Sequence, residues 1–561
     1  MLKSHREEPV NYYRTPDFLR ILVYVFPMVA IFLCSCQLLP NFPENRSITV
    51  KRYAITLPLG LDFVRHNILL NTFVATSSRE NFPAQKGSIQ PILYAPYEYI
   101  AQSGDTLQAV AARFRVQPQE ITSKDSIPAD GLLTPGQILN IPRQSDEIPV
   151  APLLLPDSEV IYSASAADFD VSAYVERAGG YLSTHKEFMR SSGMTSAADI
   201  LARIALENSF DPRLLLALLE YQCACVLGYP DVEFDTNFLL GFQNPVKKGL
   251  YRQLGWAMNQ ISLGYYGWRD GLLTEFYFPD STIIRIPPKM NAGSVAIQYL
   301  FAQLYDSDEW QLAVDPDQGL PTLYARMFGD PWQRDGYFDP LLPGNLTQPE
   351  LILPFQPGDI WSYTSGPHKA WETEGALAAL DFAPPSVESG CLPSDEWIVA
   401  STSGLVVRSE HGAVVLDLDA TSRNQISTST LSDGKEHTGW AILYMHVAIK
   451  DRVPVGTRLQ AGDPIGHPSC EGGPATGTHL HIARKFNGEW IAADGPIPFV
   501  MDGWIAKAGY RPFEGTLVRD DITISANLFS PGYSFISREL DETSRINRFI
   551  RQNQSRRWMC D

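Results

Sequence analysis

The residues with chemical potential gather in one stretch of this sequence. Of ten histidines in 561 residues, seven lie between His368 and His481. Four short pieces matter there: Gly366-Pro367-His368, Leu380-Asp381-Phe382, Tyr444-Met445-His446 and Thr478-His479-Leu480-His481. On a strand, alternate residues share a face, so His479 and His481 project together and Leu480 points away. The strand is predicted to run to Phe486 and turn at Asn487-Gly488, a favoured two-residue hairpin turn, with Glu489 to Ala492 returning. A histidine pair on a stiff sheet suits a metal site. Two imidazoles and one carboxylate make a hydrolytic zinc site that keeps a position open for water. Such an ion polarises a scissile carbonyl and lowers the pKa of water. Further histidines can then carry protons or stabilise the intermediate. His411, His437 and His467 are expected on loops or the surface.

These pieces resemble the M23 family of zinc peptidases, the lysostaphin- or LytM-type endopeptidases of bacterial peptidoglycan. The resemblance implies that His368, Asp381 and His481 bind Zn2+, and that His446 and His479 flank the water as catalytic residues. Most of the family has His-x3-Asp, whereas here twelve residues separate His368 from Asp381. That spacing is similar to the β-lytic, or staphylolytic, subgroup. Val455-Gly456, Ala461-Gly462-Asp463 and Ile465-Gly466 also match, and the resemblance runs from Leu351 to Trp504.

The elements expected to hold these residues are strands. Residues 350–517 carry turn dipeptides and runs such as AVVLDLD and WAILYMHV, a mainly antiparallel β pattern. Upstream, residues 166–345 read as a helical domain, with Asp211-Pro212 opening one helix. Phe210 to Gln222 (FDPRLLLALLEYQ) resembles the start of lytic-transglycosylase-like, lysozyme-fold domains. Gln222 falls where that fold carries its acid, and glutamine cannot protonate a glycosidic oxygen, so the domain reads as degenerate. Residues 144–165 are a Pro-rich linker and 518–561 a tail, a short helix or disordered.

Residues 97–143 read as β-α-α-β, with Asp105 capping a first helix and Pro118 opening a second. The SGDTL start, the Pro135-Gly136-Gln137 turn and the Ile141-Pro142 ending strongly resemble the LysM module. The resemblance implies binding of N-acetylglucosamine-containing glycan beside Gly104, Asp105 and Thr106 and the loop from Ile127 to Leu132. The fold class expected overall is multidomain α+β: LysM, helical middle, β metallopeptidase.

The first 36 residues read as an export signal or membrane anchor, with the apolar run ILVYVFPMVAIFL after Arg14 and Arg20. Leu33-Cys34-Ser35-Cys36 resembles a bacterial lipobox, which implies acylation of Cys36. Residues 37–96 read as an irregular linker. Seven cysteines are too few for a disulfide scaffold. In an exported chain Cys391 and Cys470 are disulfide candidates, whereas Cys223 and Cys225 lie too close in sequence to pair easily. Length predicts three or four domains. A net charge of −18 argues against nucleic-acid binding. The expected partners are peptidoglycan and, through the N-terminus, a membrane. Three functions follow: an exported zinc endopeptidase of peptidoglycan, an inactive wall-binding scaffold or activator, or a glycan-cleaving enzyme acting through the helical domain.

Overall fold

Two strands, Ala413–Leu418 and Trp440–Met445, are buried at every position. A strand is apolar throughout, rather than at alternate residues, when both faces of its sheet are covered. The computed structural model shows that arrangement. It describes residues 95–143, 151–336, 338, 340–371, 373–385, 390–418 and 432–539. The expected signal with Cys36, and nearly all of the 37–96 linker, lie outside the described residues.

The N-terminal described unit contains β1 (Tyr97–Ile100), α1 (Leu107–Phe114), β2 (Thr122–Ser123) and β3 (Ile138–Ile141), with β3 central in the sheet. The expected second helix is only one 3-10 turn, Pro118–Glu120. Thr106, not Asp105, caps α1, accepting from the Ala109 N–H. Asp105 is instead buried, accepting from the Tyr99 hydroxyl at 2.6 Å and from Arg113 at 2.6 Å.

The helical region comprises α2 (Val171–Ala178), the hairpin β4 (Lys186–Met189) and β5 (Gly193–Ser196), α3 (Ala197–Asn208), α4 (Pro212–Cys223) and α5 (Leu250–Arg269). The hairpin β6 (Glu275–Tyr277) and β7 (Ile283–Arg285) follows, then α6 (Ala292–Leu304), α7 (Ser307–Ala313), α8 (Leu320–Phe328) and α9 (Pro331–Asp335). Asp211 caps α4 and Pro212 occupies its first turn, as the sequence predicts. Cys223 and Cys225 are joined after all: Ala224, left-handed at φ +50°, turns the chain back and brings their Cα atoms to 5.1 Å. The described part of the Pro-rich linker is no free spacer, because Leu154, Leu155, Val160 and Ile161 are buried in the helical core.

The C-terminal part contains β8 (Ile360–His368), β9 (Ala379–Ala383), β10 (Ile398–Val399), β11 (Gly404–Glu410), β12 (Ala413–Leu418) and β13 (Trp440–Met445). It continues with β14 (Arg458–Leu459), β15 (Pro464–Gly466), β16 (Leu480–Phe486) and β17 (Glu489–Trp490). Last come β18 (Val500–Met501), β19 (Trp504–Ala508), β20 (Gly515–Arg519), β21 (Ile522–Ser525) and β22 (Phe535–Ser537). The main antiparallel sheet has the order β14-β11-β12-β13-β16-β9-β8-β22, with β17 returning on β16. β18 to β21 form a separate meander. Residues 518–537, expected as a tail, therefore belong to the sheets: β22 pairs with β8 along Phe535↔Ser362, which supplies the order that a polar composition did not suggest.

Side-chain parity divides the main sheet between two cores. Val414, Leu416, Ile442, Tyr444, Leu480 and Ile482 enter the β core. Ala379, Ala413, Val415, Ala441, Leu443 and Ala483 join the helical core. The alanines on four neighbouring strands leave room for the helical layer to approach. The β16–β17 hairpin reaches that layer too. Asn487 and Gly488 both have positive φ, as a two-residue turn requires, and a Cβ on Gly488 would lie 2.3 Å from the Tyr162 carbonyl oxygen.

Buried ions tie the parts together. Arg269 at the end of α5 binds Glu489 of β17 at 3.0 Å and Asp157 at 2.9 Å, and also donates to the Ser103 carbonyl. Glu436 accepts from Arg408 at 2.9 Å and from Lys485 at 2.7 Å. Removing one member of such a set strands the opposite charge in a low-dielectric interior. Arg269→Met is expected to lower unfolding free energy by about 3–5 kcal/mol, read from the shift of the urea midpoint against wild type.

Candidate metal centre

Register alone brings two of the candidate ligands together. His481 on β16 pairs directly with Asp381 on β9, in a row with Met445 on one side and Ser365 on the other. Side chains directly opposite in an antiparallel pair lie about 4.5–5.5 Å apart at Cβ. His368 arrives differently. It ends β8 after register shifts at Tyr363/Ser365 and Ser365/His368, and these re-aim the strand end toward the row.

His368 Nε2 lies 3.0 Å from His481 Nδ1, and each lies 3.2 Å from Asp381 Oδ1. The outer ring nitrogens settle the proton positions. His368 Nδ1 donates to the Gly366 carbonyl at 2.8 Å, and His481 Nε2 donates to the Ala370 carbonyl at 3.0 Å. A carbonyl only accepts, so in the neutral rings both inner nitrogens present lone pairs. Asp381 Oδ1 is buried and receives no hydrogen bond from the described residues. Three lone pairs therefore face one another, and only a positive charge satisfies them. A tetrahedral ion with ligands at about 2.1 Å separates neighbouring donor atoms by roughly 3.4 Å, close to the spacings here, so the donor set fits such an ion. Burial lowers the His368 pKa, but the Asp381 carboxylate outweighs it and leaves the imidazole above its ordinary value. Burial pushes the Asp381 carboxyl up, but the neighbouring histidines hold it well below the usual range.

The other two candidates complete the site. His446 follows β13 in a left-handed conformation, φ +65°, which a non-glycine residue adopts only when its surroundings enforce it. Its Nδ1 donates to the Glu471 carbonyl at 2.8 Å, and His479 Nδ1 donates to the Gly477 carbonyl at 2.7 Å. Both Nε2 atoms are thereby left as acceptors. The two rings lie 4.3 Å apart, and His479 Nε2 is 3.9 Å from Asp381. Burial, then the neighbouring His479 and His481, push the His446 pKa down to about 3, so this imidazole is neutral.

Cys391 and Cys470 are joined, with Cα atoms 5.7 Å apart. The bond links the two loops behind His446 and His479, since Glu471 follows Cys470 and the Thr478 N–H donates to the Gly390 carbonyl. His437 and His467 lie in loops, as expected, but are buried there: His437 stacks on Tyr162 at 3.9 Å, and His467 Nδ1 donates to the Glu396 carbonyl. His411 lies at a turn.

The first loop named for glycan binding is not open. Ser103, Gly104 and Asp105 are buried, and the Arg269 guanidinium fills the space where a Cβ on Gly104 would project. Thr106 is partly exposed but serves as the helix cap. In the helical region, Glu220 is used up structurally, accepting from the Val226 and Leu227 N–H groups at 2.9 Å each, and the Gln222 amide nitrogen is buried without a hydrogen-bond acceptor among the described residues. The backbone carbonyls that orient the histidines escaped sequence reasoning because a carbonyl has no residue signature. Phe513, which stacks on His368 at 4.6 Å, escaped it because no local motif marks it.

An antiparallel sheet presenting a His-Asp-His cluster with two further histidines defines a candidate metallohydrolase. Comparison with known proteins places it further. Residues 99–142 match the LysM domain, and residues 153–343 match the family described as LasA, N-terminal domain. Protease LasA of Pseudomonas aeruginosa strain PAO1 is 25% identical over 361 residues, spanning 62% of this chain and 77% of that protein. Protease LasA of strain UCBPP-PA14 is 24% identical over 369 residues, with the same shares. Among solved structures, the deep-sea M23 metalloprotease Pseudoalterin is 19% identical, with a TM-score of 0.26, and covers 32% of this chain and 96% of its own. The chain carries a LysM domain match and a LasA N-terminal domain match, and is a relative of Protease LasA.

Because Cys391 and Cys470 are 79 positions apart in sequence, their bond removes considerable freedom from the unfolded chain. Replacing both by serine is expected to cost about 4 kcal/mol. Denaturant unfolding of the double variant, compared with wild type under oxidising conditions, checks this.

Proposed function

We propose that this protein is an exported, zinc-dependent endopeptidase that cuts peptide bonds of bacterial peptidoglycan, with the LysM domain bringing it to the wall. The observation carrying this is the convergence of the His368, Asp381 and His481 lone pairs beside His446 and His479, whose Nδ1 atoms are both committed to backbone carbonyls. When bound, zinc supplies Lewis acidity for carbonyl polarisation. This chain's residues do the rest. His368, Asp381 and His481 hold the ion, and their outer hydrogen bonds keep the rings aimed. His446 and His479, with Nδ1 committed to carbonyls, offer Nε2 to take a proton from the attacking water and return it to the leaving amine. Holding both rings by hydrogen bonds to backbone carbonyls means they need not reorient during the reaction.

The relatedness to Protease LasA and the LysM match support a peptidase directed at cell walls. With a net charge of −18, attraction to an anionic wall cannot come from bulk electrostatics. Specific glycan contacts must supply it, and the buried first loop of the LysM domain has to open, or another face of that domain has to serve. Extracytoplasmic placement rests on the N-terminal sequence and is supported by the Cys391–Cys470 disulfide. Among the described residues no helix is long and apolar enough to cross a membrane.

The purified full chain is expected to bind about one zinc per molecule and to release new peptide amino termini from bacterial cell walls. His481→Ala should lose both metal and activity. His446→Ala should keep the metal while cleavage slows by roughly 10²–10⁴-fold. A chelator should abolish cleavage and added zinc restore it. Mass spectrometry of the released fragments identifies the bond. Reducing or anhydro sugar ends without new amines would point to glycan cleavage, and inactivity on every wall type would favour a binding role.

A further inference from the structure

Phe513 is placed against two ordinary preferences. It has φ +73°, a left-handed conformation that a bulky side chain rarely adopts, and its side chain is 53% exposed. Glycine or asparagine is the unstrained choice for such a turn, and neither would expose an aromatic ring. What the position gains is contact with one side chain. The Phe513 ring stacks on the His368 imidazole, with centroids 4.6 Å apart and planes inclined by 25°.

The turn between β19 and β20 is pressed onto the end of β8. The Gly366 N–H donates to the Phe513 carbonyl at 2.7 Å, and the Phe513 N–H donates to the Pro367 carbonyl at 3.2 Å. A Cβ on Gly366 would stand 2.4 Å from the Glu514 carbonyl oxygen, so no side chain fits between strand and turn. His481 and Asp381 stand directly opposite one another, whereas His368 stands opposite Ala379, reached only across a register shift. Its Nδ1–H bond to Gly366 fixes one point of the ring but leaves the ring free to swing about it. The Nε2 lone pair lies in the ring plane, so a swing carries it off the Asp381–His481 pair. A flat surface stacked on the imidazole removes that freedom.

We infer that Phe513 is a positioning residue for His368, holding its ring plane so that Nε2 meets the metal, and that the strained turn is retained for this purpose. The inference rests on the metal-site reading above and adds the C-terminal hairpin to the parts that site requires.

The test uses the full chain and two readouts that do not involve cleavage: zinc affinity by competition with a chromophoric chelator, and the visible spectrum of the cobalt-substituted protein. Phe513→Gly relieves the backbone while removing the ring. Its metal-free form is expected to melt no lower than wild type, yet to bind zinc about tenfold more weakly, with an altered cobalt spectrum. Phe513→Trp, which keeps a stacking face, should restore affinity to about the wild-type value. Phe513→Gly binding zinc within about twofold of wild type with an unchanged spectrum, while His481→Ala abolishes binding, would overturn the inference and leave the site reading standing. A loss of affinity matched by an equal loss of metal-free stability would overturn it too, since a merely structural residue behaves that way. Failure of the wild type itself to take up zinc or cobalt would bring down the site reading and this inference together.

Discussion

Three lone pairs held within 3.2 Å of one another in a buried site repel, and a protein must hold them there against that repulsion. Much of this structure can be understood as the means of doing so. The β16–β9 register sets His481 against Asp381, and a one-residue slip of either strand would put the two on opposite faces of the sheet. That register is secured by burial on both sides: Leu480 and Ile482 lie in one core, Ala483 in the other. Backbone carbonyls of Gly366 and Ala370 then fix which nitrogen of each ring is bare. The sheet register supplies position and the backbone carbonyls supply protonation state.

The same division of labour extends to His446 and His479. Neither lies within a strand; each sits just beyond the end of one, where backbone geometry is freer. The freedom is removed by the loops carrying Glu471 and Gly477, and those loops are tied by the Cys391–Cys470 bond. Rigid elements thus hold the proposed ion's ligands, while a cross-linked loop pair holds the residues proposed to move protons.

Buried charges do the work of joining the parts. Arg269 reaches the LysM domain, the 151–166 segment and the β17 hairpin at once, and Glu436 gathers two cations beside Ser209. Such groups gain little over apolar packing in net stability. Their geometry, however, admits few alternatives, so they fix one relative placement of LysM, helices and sheet. A direct consequence is that the first LysM loop, Ser103 to Asp105, is covered rather than presented.

The sequence by itself determined what depends on local periodicity and residue chemistry. The strand carrying His481, the Asn487-Gly488 turn and the Asp211-Pro212 helix start were legible, because each follows from neighbours a few residues apart, whereas the grouping of His368, Asp381, His446, His479 and His481 was implied by a family resemblance. The tertiary structure decided what depends on distant partners. Asp105 reads locally as a cap, but Tyr99 and Arg113 claim it. Residues 518–537 read as a tail, but β8 offers an edge that orders them. Cys223 and Cys225 read as too close to pair, but a left-handed residue between them folds the chain back. Which nitrogen of each histidine is bare, and that Phe513 lies against His368, are set by backbone carbonyls and by a turn 145 residues downstream of that ligand, and no one-dimensional pattern records either.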